Sequence, residues 1–394
     1  MSACSLRMIS HVDANREGWS NDPERGIRAS TRMEETMRRF AKHVALSLLA
    51  MTVIAASGSA LADKKADVKF LITTTKIEPG HCTISSLQEK PGFWKHEGLN
   101  VQIIGVEGSS LAVQQVGSGN ADFASVGPEV LLTARQQGVP IKAFYAIVPH
   151  TIFRLMVPAD SPIKSAADFK GKTIGIPSTA SASYPFSRAI LSSAGINPET
   201  DVHWLTVGAG AQAALALQRG QIQAIAGWDT MQAAFENRGM KFRNISAPFV
   251  DQLLGQVLIA REDFLQQHPE TAIAIARGIA EATVFALDHP EEALKNHWHY
   301  YPQSKPREGS DAEKIKAGIG ELQSRLSEMK VADWPKTPYG FIDPASFDKT
   351  VEIALKEGQI SSASSAKDAY TNQWIPQINT FDKARVLSQS VASR

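Results

Sequence analysis

Six consecutive residues, Ser178-Thr179-Ala180-Ser181-Ala182-Ser183, place four hydroxyls and their backbone amides where an apolar run gives way to a helix-forming one. Free N–H groups and the helix dipole at such a junction favour a bound anion. Ser178, Thr179, Ser181 and Ser183 are therefore candidates for cradling a carboxylate or sulfonate, although ordinary capping uses the same residue types. A matching turn, Glu107-Gly108-Ser109-Ser110, comes earlier in the chain. There Gly108 permits close backbone approach, and Ser109 and Ser110 add hydroxyls. Ser125, in Ser125-Val126-Gly127-Pro128-Glu129, is a third candidate. Pro128 suits a first helical position, so capping alone explains much of that motif.

The polar stretch Thr74 to Ser86 carries Lys76, Glu78, His81 and Cys82. Lys76 and His81 could meet a ligand oxygen, but a lone surface His is more often simply solvated. Cys82 has no placed base and is not a nucleophile candidate. Trp228-Asp229 ends an apolar strand. Trp228 could stack on a ring and Asp229 could meet an amine or a lobe-closing Lys; the alternative is a buried Trp beside a helix-capping Asp. His150 ranks below these.

Two enzyme readings compete. Val207-Gly208-Ala209-Gly210-Ala211-Gln212-Ala213 follows a strand and opens a helix, with Asp229 about 20 residues onward where a ribose-binding acid would sit. That is the pattern of an NAD-dependent oxidoreductase using Gly208, Ala209, Gly210 and Asp229, but the motif alone is weak. His297-Trp298-His299 suggests a metal, yet residues at i and i+2 do not share a helix face. Gly171-Lys172-Thr173 lacks the upstream glycine of a phosphate-binding loop, and no Gly-x-Ser-x-Gly elbow occurs. No catalytic constellation, cofactor or metal is expected.

The elements that must position the candidates follow from pattern. Short runs rich in β formers, Val68–Thr73, Val101–Val106, Ala121–Val126 and Ile141–Ile147, alternate with helical segments Leu87–Glu97, Leu111–Gly117 and Pro128–Gln137. The pattern then restarts, with strands at Leu155–Val157, Thr173–Ile176, Val202–Val207 and Ile222–Ala226. Alternation at this spacing indicates βαβ units and parallel sheets. From Phe264 the chain turns helical, and residues 302–345 hold several Pro and Gly with mixed helix.

The chain has 394 residues, 43% apolar and 21% charged, with a formal charge of +1. These values fit a globular protein of two domains. The absence of a basic stripe argues against a nucleic-acid partner. Arg38 to His43 is basic, Val44 to Ala56 is mostly apolar, and Ala60-Leu61-Ala62 is a small-residue step. This is a secretory signal peptide pattern, with cleavage expected after Ala62. The apolar core falls short of the ~20 residues of a spanning helix. The polar residues ahead of it are consistent with translation starting at Met33 or Met37. No Cys stands directly after the cleavage site, so no lipid anchor is expected there.

Three segments carry a family resemblance. They are Phe93-Trp94-Lys95-His96-Glu97-Gly98-Leu99-Asn100-Val101, Ser118-Gly119-Asn120-Ala121-Asp122-Phe123-Ala124, and Ala167-Asp168-Phe169-Lys170-Gly171-Lys172-Thr173-Ile174-Gly175. Their order resembles the nitrate, sulfonate and taurine type of ABC-transporter binding proteins, whose relatives bind thiamine precursors and aromatic carboxylates. The resemblance covers about 91–235. It implies a type II-like periplasmic binding protein of α/β class, each lobe a mixed, mainly parallel sheet flanked by helices, closing on ligand by hinge motion. The expected organisation is 1–62 removed, 63–156 and about 247–394 as the first lobe with a C-terminal helical layer, and 157–246 as the second. The hinge is expected near Val157 and near Ser246 to Val250. The resemblance further implies a monomeric periplasmic protein that hands a small solute to an inner-membrane permease and catalyses nothing. The related pyrimidine synthases use a Cys-rich iron motif, which a single cysteine beyond residue 62 cannot supply. With no Arg in the four main loops, a monoanion such as an organic carboxylate or sulfonate is favoured over a highly charged species.

Overall fold

The structure, a computed structural model, describes residues 66–390. The signal-peptide pattern and the segment ahead of it lie outside the described residues. The first half of the chain runs β1 (Ala66–Ile72), a 3-10 helix (Pro79–Ile84), α1 (Ser86–Glu89), α2 (Phe93–His96), β2 (Leu99–Gly105), α3 (Gly108–Gly117), β3 (Phe123–Val126), α4 (Pro128–Gln136) and β4 (Ile141–Val148). Next come β5 (Phe153–Pro158), β6 (Thr173–Ile176), α5 (Ser183–Ser193), β7 (His203–Thr206), α6 (Ala211–Gln218), β8 (Ala224–Trp228), α7 (Asp229–Glu236) and β9 (Phe242–Ile245). The chain ends with β10 (Gln256–Arg261), α8 (Glu262–Gln267), α9 (Pro269–Asp288), α10 (Pro290–Tyr300), α11 (Asp311–Met329), α12 (Pro344–Lys356), α13 (Ile375–Ile378) and α14 (Lys383–Leu387).

Two five-stranded sheets result, β2-β1-β3-β10-β4 and β7-β6-β8-β5-β9. Each has three parallel neighbours followed by an antiparallel strand, β10 in the first sheet and β5 in the second. The first lobe therefore receives its fourth strand from chain that has already traversed the second. Both sheets are mixed and flanked by helices, as expected.

The chain crosses between the sheets at residues 149–152 and 246–255. β5 pairs along its length with β8 and β9, and Val157 faces Arg243 inside the second sheet. The first crossing between the sheets therefore lies upstream of Val157, which ladder pairing holds within the second sheet. Ser246 to Val250 does lie in the second crossing.

Two local readings change. Thr74 to Ser86 is no solvated loop: all six residues of the 3-10 helix Pro79–Ile84 are buried. Leu87–Glu97 is not one helix but α1 and α2, parted at Pro91-Gly92. Proline has no N–H to give, and Gly92 adopts φ +89°, a left-handed conformation that L side chains resist.

The main core joins both sheets and the C-terminal helices. Trp94, 1% exposed, lies against Phe70 with ring centroids 5.2 Å apart and donates Nε1–H to the Ile275 carbonyl at 2.9 Å. That contact seats α9 on the first lobe. Helix α11 reaches further. It packs on both the 3-10 helix and α7, and the Asn237 amide at the end of α7 donates to the Ala317 carbonyl at 3.0 Å. The C-terminal layer thus straps the two lobes together. Among the described residues no helix is long and apolar enough to cross a membrane.

Candidate functional site

The parallel strands of both sheets direct their C-terminal ends at the seam between the lobes, where helices begin. On the first-lobe side, Gly108 opens α3 with φ +84°, and a Cβ there would stand 2.5 Å from the Ala180 carbonyl oxygen. The Ser110 amide donates to that oxygen at 3.3 Å. The two candidate turns, 107–110 and 178–183, therefore face and touch each other. Ser109 is buried, and its Oγ accepts the Gly127 N–H at 3.2 Å.

On the second-lobe side, the Ser181 and Ser183 hydroxyls bond each other at 2.9 Å, and Ser183 Oγ donates to the Ala226 carbonyl at 3.2 Å. The N-cap of α5 is Ala182, with no side-chain cap, so these serines are not conventional caps. Ser178 Oγ is buried without a partner among the described residues, as is Ser125 Oγ below the first-lobe turn. Thr179 is exposed.

Between these walls lies a cavity of about 30 Å³, lined by His81, Ser109, Ser181, Trp228, Gln256 and Arg325 together with Thr73, Thr74, Gly108, Ile152, Phe153 and Ala182. Lys76 is exposed and does not line it. His150 lines a different cavity of about 320 Å³ along the two crossings. That cavity is walled by both crossings and by Glu328, which pairs with Arg154 at 2.6 Å.

His81 is buried, not solvated, because it sits inside the 3-10 helix. Its Nδ1 accepts the Glu78 N–H at 3.1 Å, which leaves the ring proton on Nε2. Burial, with the nearby Arg325 charge, holds its pKa well below the ordinary value, so the ring is neutral. Glu78 is buried next to it. Its carboxylate accepts from Thr230 Oγ1 at 3.0 Å across the seam, and desolvation raises its pKa.

Asp229 pairs with an arginine, not with a Lys. Arg325 of α11 holds it bidentately, Nε to Oδ2 at 2.8 Å and Nη2 to Oδ1 at 2.7 Å. Burial works against the Arg325 charge, but Asp229, through its charge and its hydrogen bonds, together with Glu78 and Glu328 outweighs it, and the pKa is raised. Among the cavity-lining residues, sequence reasoning missed Arg325, Gln256 and the two threonines just after β1, Thr73 and Thr74. The nearest signal was a helical pattern within 302–345, which says nothing about where that helix packs.

The glycines of the dinucleotide-like motif follow β7, an edge strand of the second sheet. The Asp229 that would hold a ribose is engaged by Arg325. Burial pushes the Cys82 thiol up to about 12, so a thiolate is scarce at neutral pH. Among the described residues no group of three or more His, Cys, Asp or Glu could hold a metal ion.

Two α/β lobes joined by two crossings, with strand ends and helix N-termini meeting at a polar seam, define the bilobed periplasmic-binding-protein fold. Residues 80–293 match the family described as NMT1/THI5 like, and the chain belongs to that family. A relative is the riboflavin-binding protein RibY of Chloroflexus aurantiacus, 24% identical over 64% of this chain and 70% of its own length. A solved structure from Bordetella bronchiseptica RB50 is 25% identical, covers 80% of this chain and 98% of its own, and superposes with a TM-score of 0.64. The alkanesulfonate-binding protein SsuA of Xanthomonas axonopodis pv. citri, bound to MOPS, shares the fold at 15% identity, with a TM-score of 0.58 over 78% of this chain and 98% of its own.

Proposed function

We propose that this protein is the periplasmic solute-binding component of an ABC importer, exported by a signal peptide cleaved after Ala62. It captures a small organic anion, carboxylate- or sulfonate-like, by lobe closure and presents the closed form to a membrane permease. The observation that carries this reading is the seam itself. Hydroxyls, helix N-termini and Arg325 converge from both lobes on a cavity of about 30 Å³, whereas pockets for organic ligands span roughly 300–1,000 Å³. A solute therefore enters only when the lobes part, and the crossings at 149–152 and 246–255 are where rotation is absorbed.

The likeness to RibY and SsuA supports the class and leaves the solute to experiment. The dinucleotide reading has less support, since Asp229 is already paired. A thermal-shift screen of residues 63–394 against sulfonates, aromatic acids, nitrate and pyrimidines tests the reading. A hit that raises Tm and lowers the radius of gyration in solution scattering supports it. A hit without compaction counts against closure, and recovery of a chemically altered solute counts against pure binding.

A further inference from the structure

Among the described residues lining the interlobe cavity, Arg325 is the one charged side chain. We infer that Arg325 is the charge-selecting residue of the site, offering Nη1 to a single anionic oxygen of the solute. The inference rests on the organic-anion reading above and assigns that reading to one atom.

The geometry argues it in three steps. Asp229 occupies one edge of the guanidinium through Nε and Nη2, with both side chains 3% exposed. This pins the rotamer, while Nη1 makes no hydrogen bond to any described residue. Gly80 makes the approach of α11 possible, because a Cβ there would stand 3.1 Å from Arg325 Cβ and 2.6 Å from Thr230 Cγ2. The remaining cavity wall is neutral: His81 carries no charge, Ser109, Ser181 and Gln256 offer uncharged polar groups, and Trp228 and Phe153 offer rings.

A planar guanidinium already half-engaged presents a single cationic edge, which suits one carboxylate or sulfonate group. The carboxylate of Asp229 already balances part of the Arg325 charge and opposes a second negative charge on the solute. The ligand class is therefore a monoanion, in preference to a phosphate dianion.

The test uses matched probes on residues 63–394: benzoate against benzamide, benzenesulfonate against benzenesulfonamide, and phenyl phosphate, with affinities from calorimetry. Wild-type protein is expected to bind an anion more tightly than its neutral isostere and phenyl phosphate more weakly than either monoanion. Arg325→Gln is expected to weaken the anion ~100-fold while moving the neutral isostere less than about threefold. Arg325→Lys, which keeps charge without the fork, is expected to fall between. Should Arg325→Gln not fold, Asp229→Asn carries the test: it keeps the arginine and removes its counter-charge, so the anion-to-neutral affinity ratio should rise. A ratio unchanged in every folded variant, or phenyl phosphate binding most tightly, overturns the inference and leaves the anion reading standing. If the wild type binds only the neutral isosteres, or none of the probes, the anion reading itself fails and the inference with it.

Discussion

The Ser110 amide donates to the Ala180 carbonyl at 3.3 Å, joining the first turn of α3 in one lobe to the hydroxyl-rich turn of the other. The bond closes the seam with backbone alone. It needs bare backbone beside it, and Gly108 supplies that.

Replacing Gly108 by Ala would put a methyl 2.5 Å from the Ala180 oxygen, at a φ of +84° that alanine resists. The expected outcome is a loss of closure, with solute affinity down ~10-fold or more and stability down by about 1 kcal/mol. Scattering and calorimetry on the same variant separate the two effects. Unchanged affinity with normal compaction would show that the turns need not touch.

Three carboxyl groups are pushed up in the folded state, first by burial: Glu129 and Glu281 to about 7 and Glu321 to about 8, the last also by the neighbouring Glu78 charge. Below about 4.5 each is protonated whether folded or unfolded. Between there and about 8 the unfolded chain releases the protons first, so stability falls as pH rises through this window. Denaturant midpoints at pH 5, 7 and 9 should decline in that order, and Glu129→Gln should flatten the slope.

Trp94 fills the space left by Gly278, where a Cβ would lie 2.3 Å from the indole Cδ1. Trp94→Ala is expected to cost about 3–5 kcal/mol and Gly278→Ala about 1–3 kcal/mol through overpacking. Urea unfolding measures both. The double variant should fall short of the sum, because the two residues share one contact.

Cys82 is fully buried with its thiol held near 12. In residues 63–394 it should resist iodoacetamide at pH 8 when native and react promptly in denaturant, as followed by mass spectrometry. Rapid native labelling would contradict the packing of the 3-10 helix.

Much of the architecture was legible because strands and helices announce themselves locally. The alternation of short apolar runs with helical stretches identified βαβ units and two sheets, and the helix starts after strands pointed to the turns at 107–110 and 178–183 that meet in the fold. His81 and Asp229 were picked for their chemistry, but their surroundings were not readable. A polar stretch that curls into a buried 3-10 helix carries the same residue types as a solvated loop.

What the amino-acid order determined by itself was everything that rests on neighbours within a few positions: the element types, the repeat of the α/β unit and the candidate anion-favouring helix starts. Tertiary structure alone decided which distant segments complete each part. It inserted β10 between β3 and β4, confined Val157 within a ladder, and brought Arg325 against Asp229 across 96 positions of chain. The physical reason is that local pattern follows from backbone geometry and side-chain periodicity. The partner of a buried charge, by contrast, is chosen by packing among all surfaces at once, and no spacing in the chain records that choice.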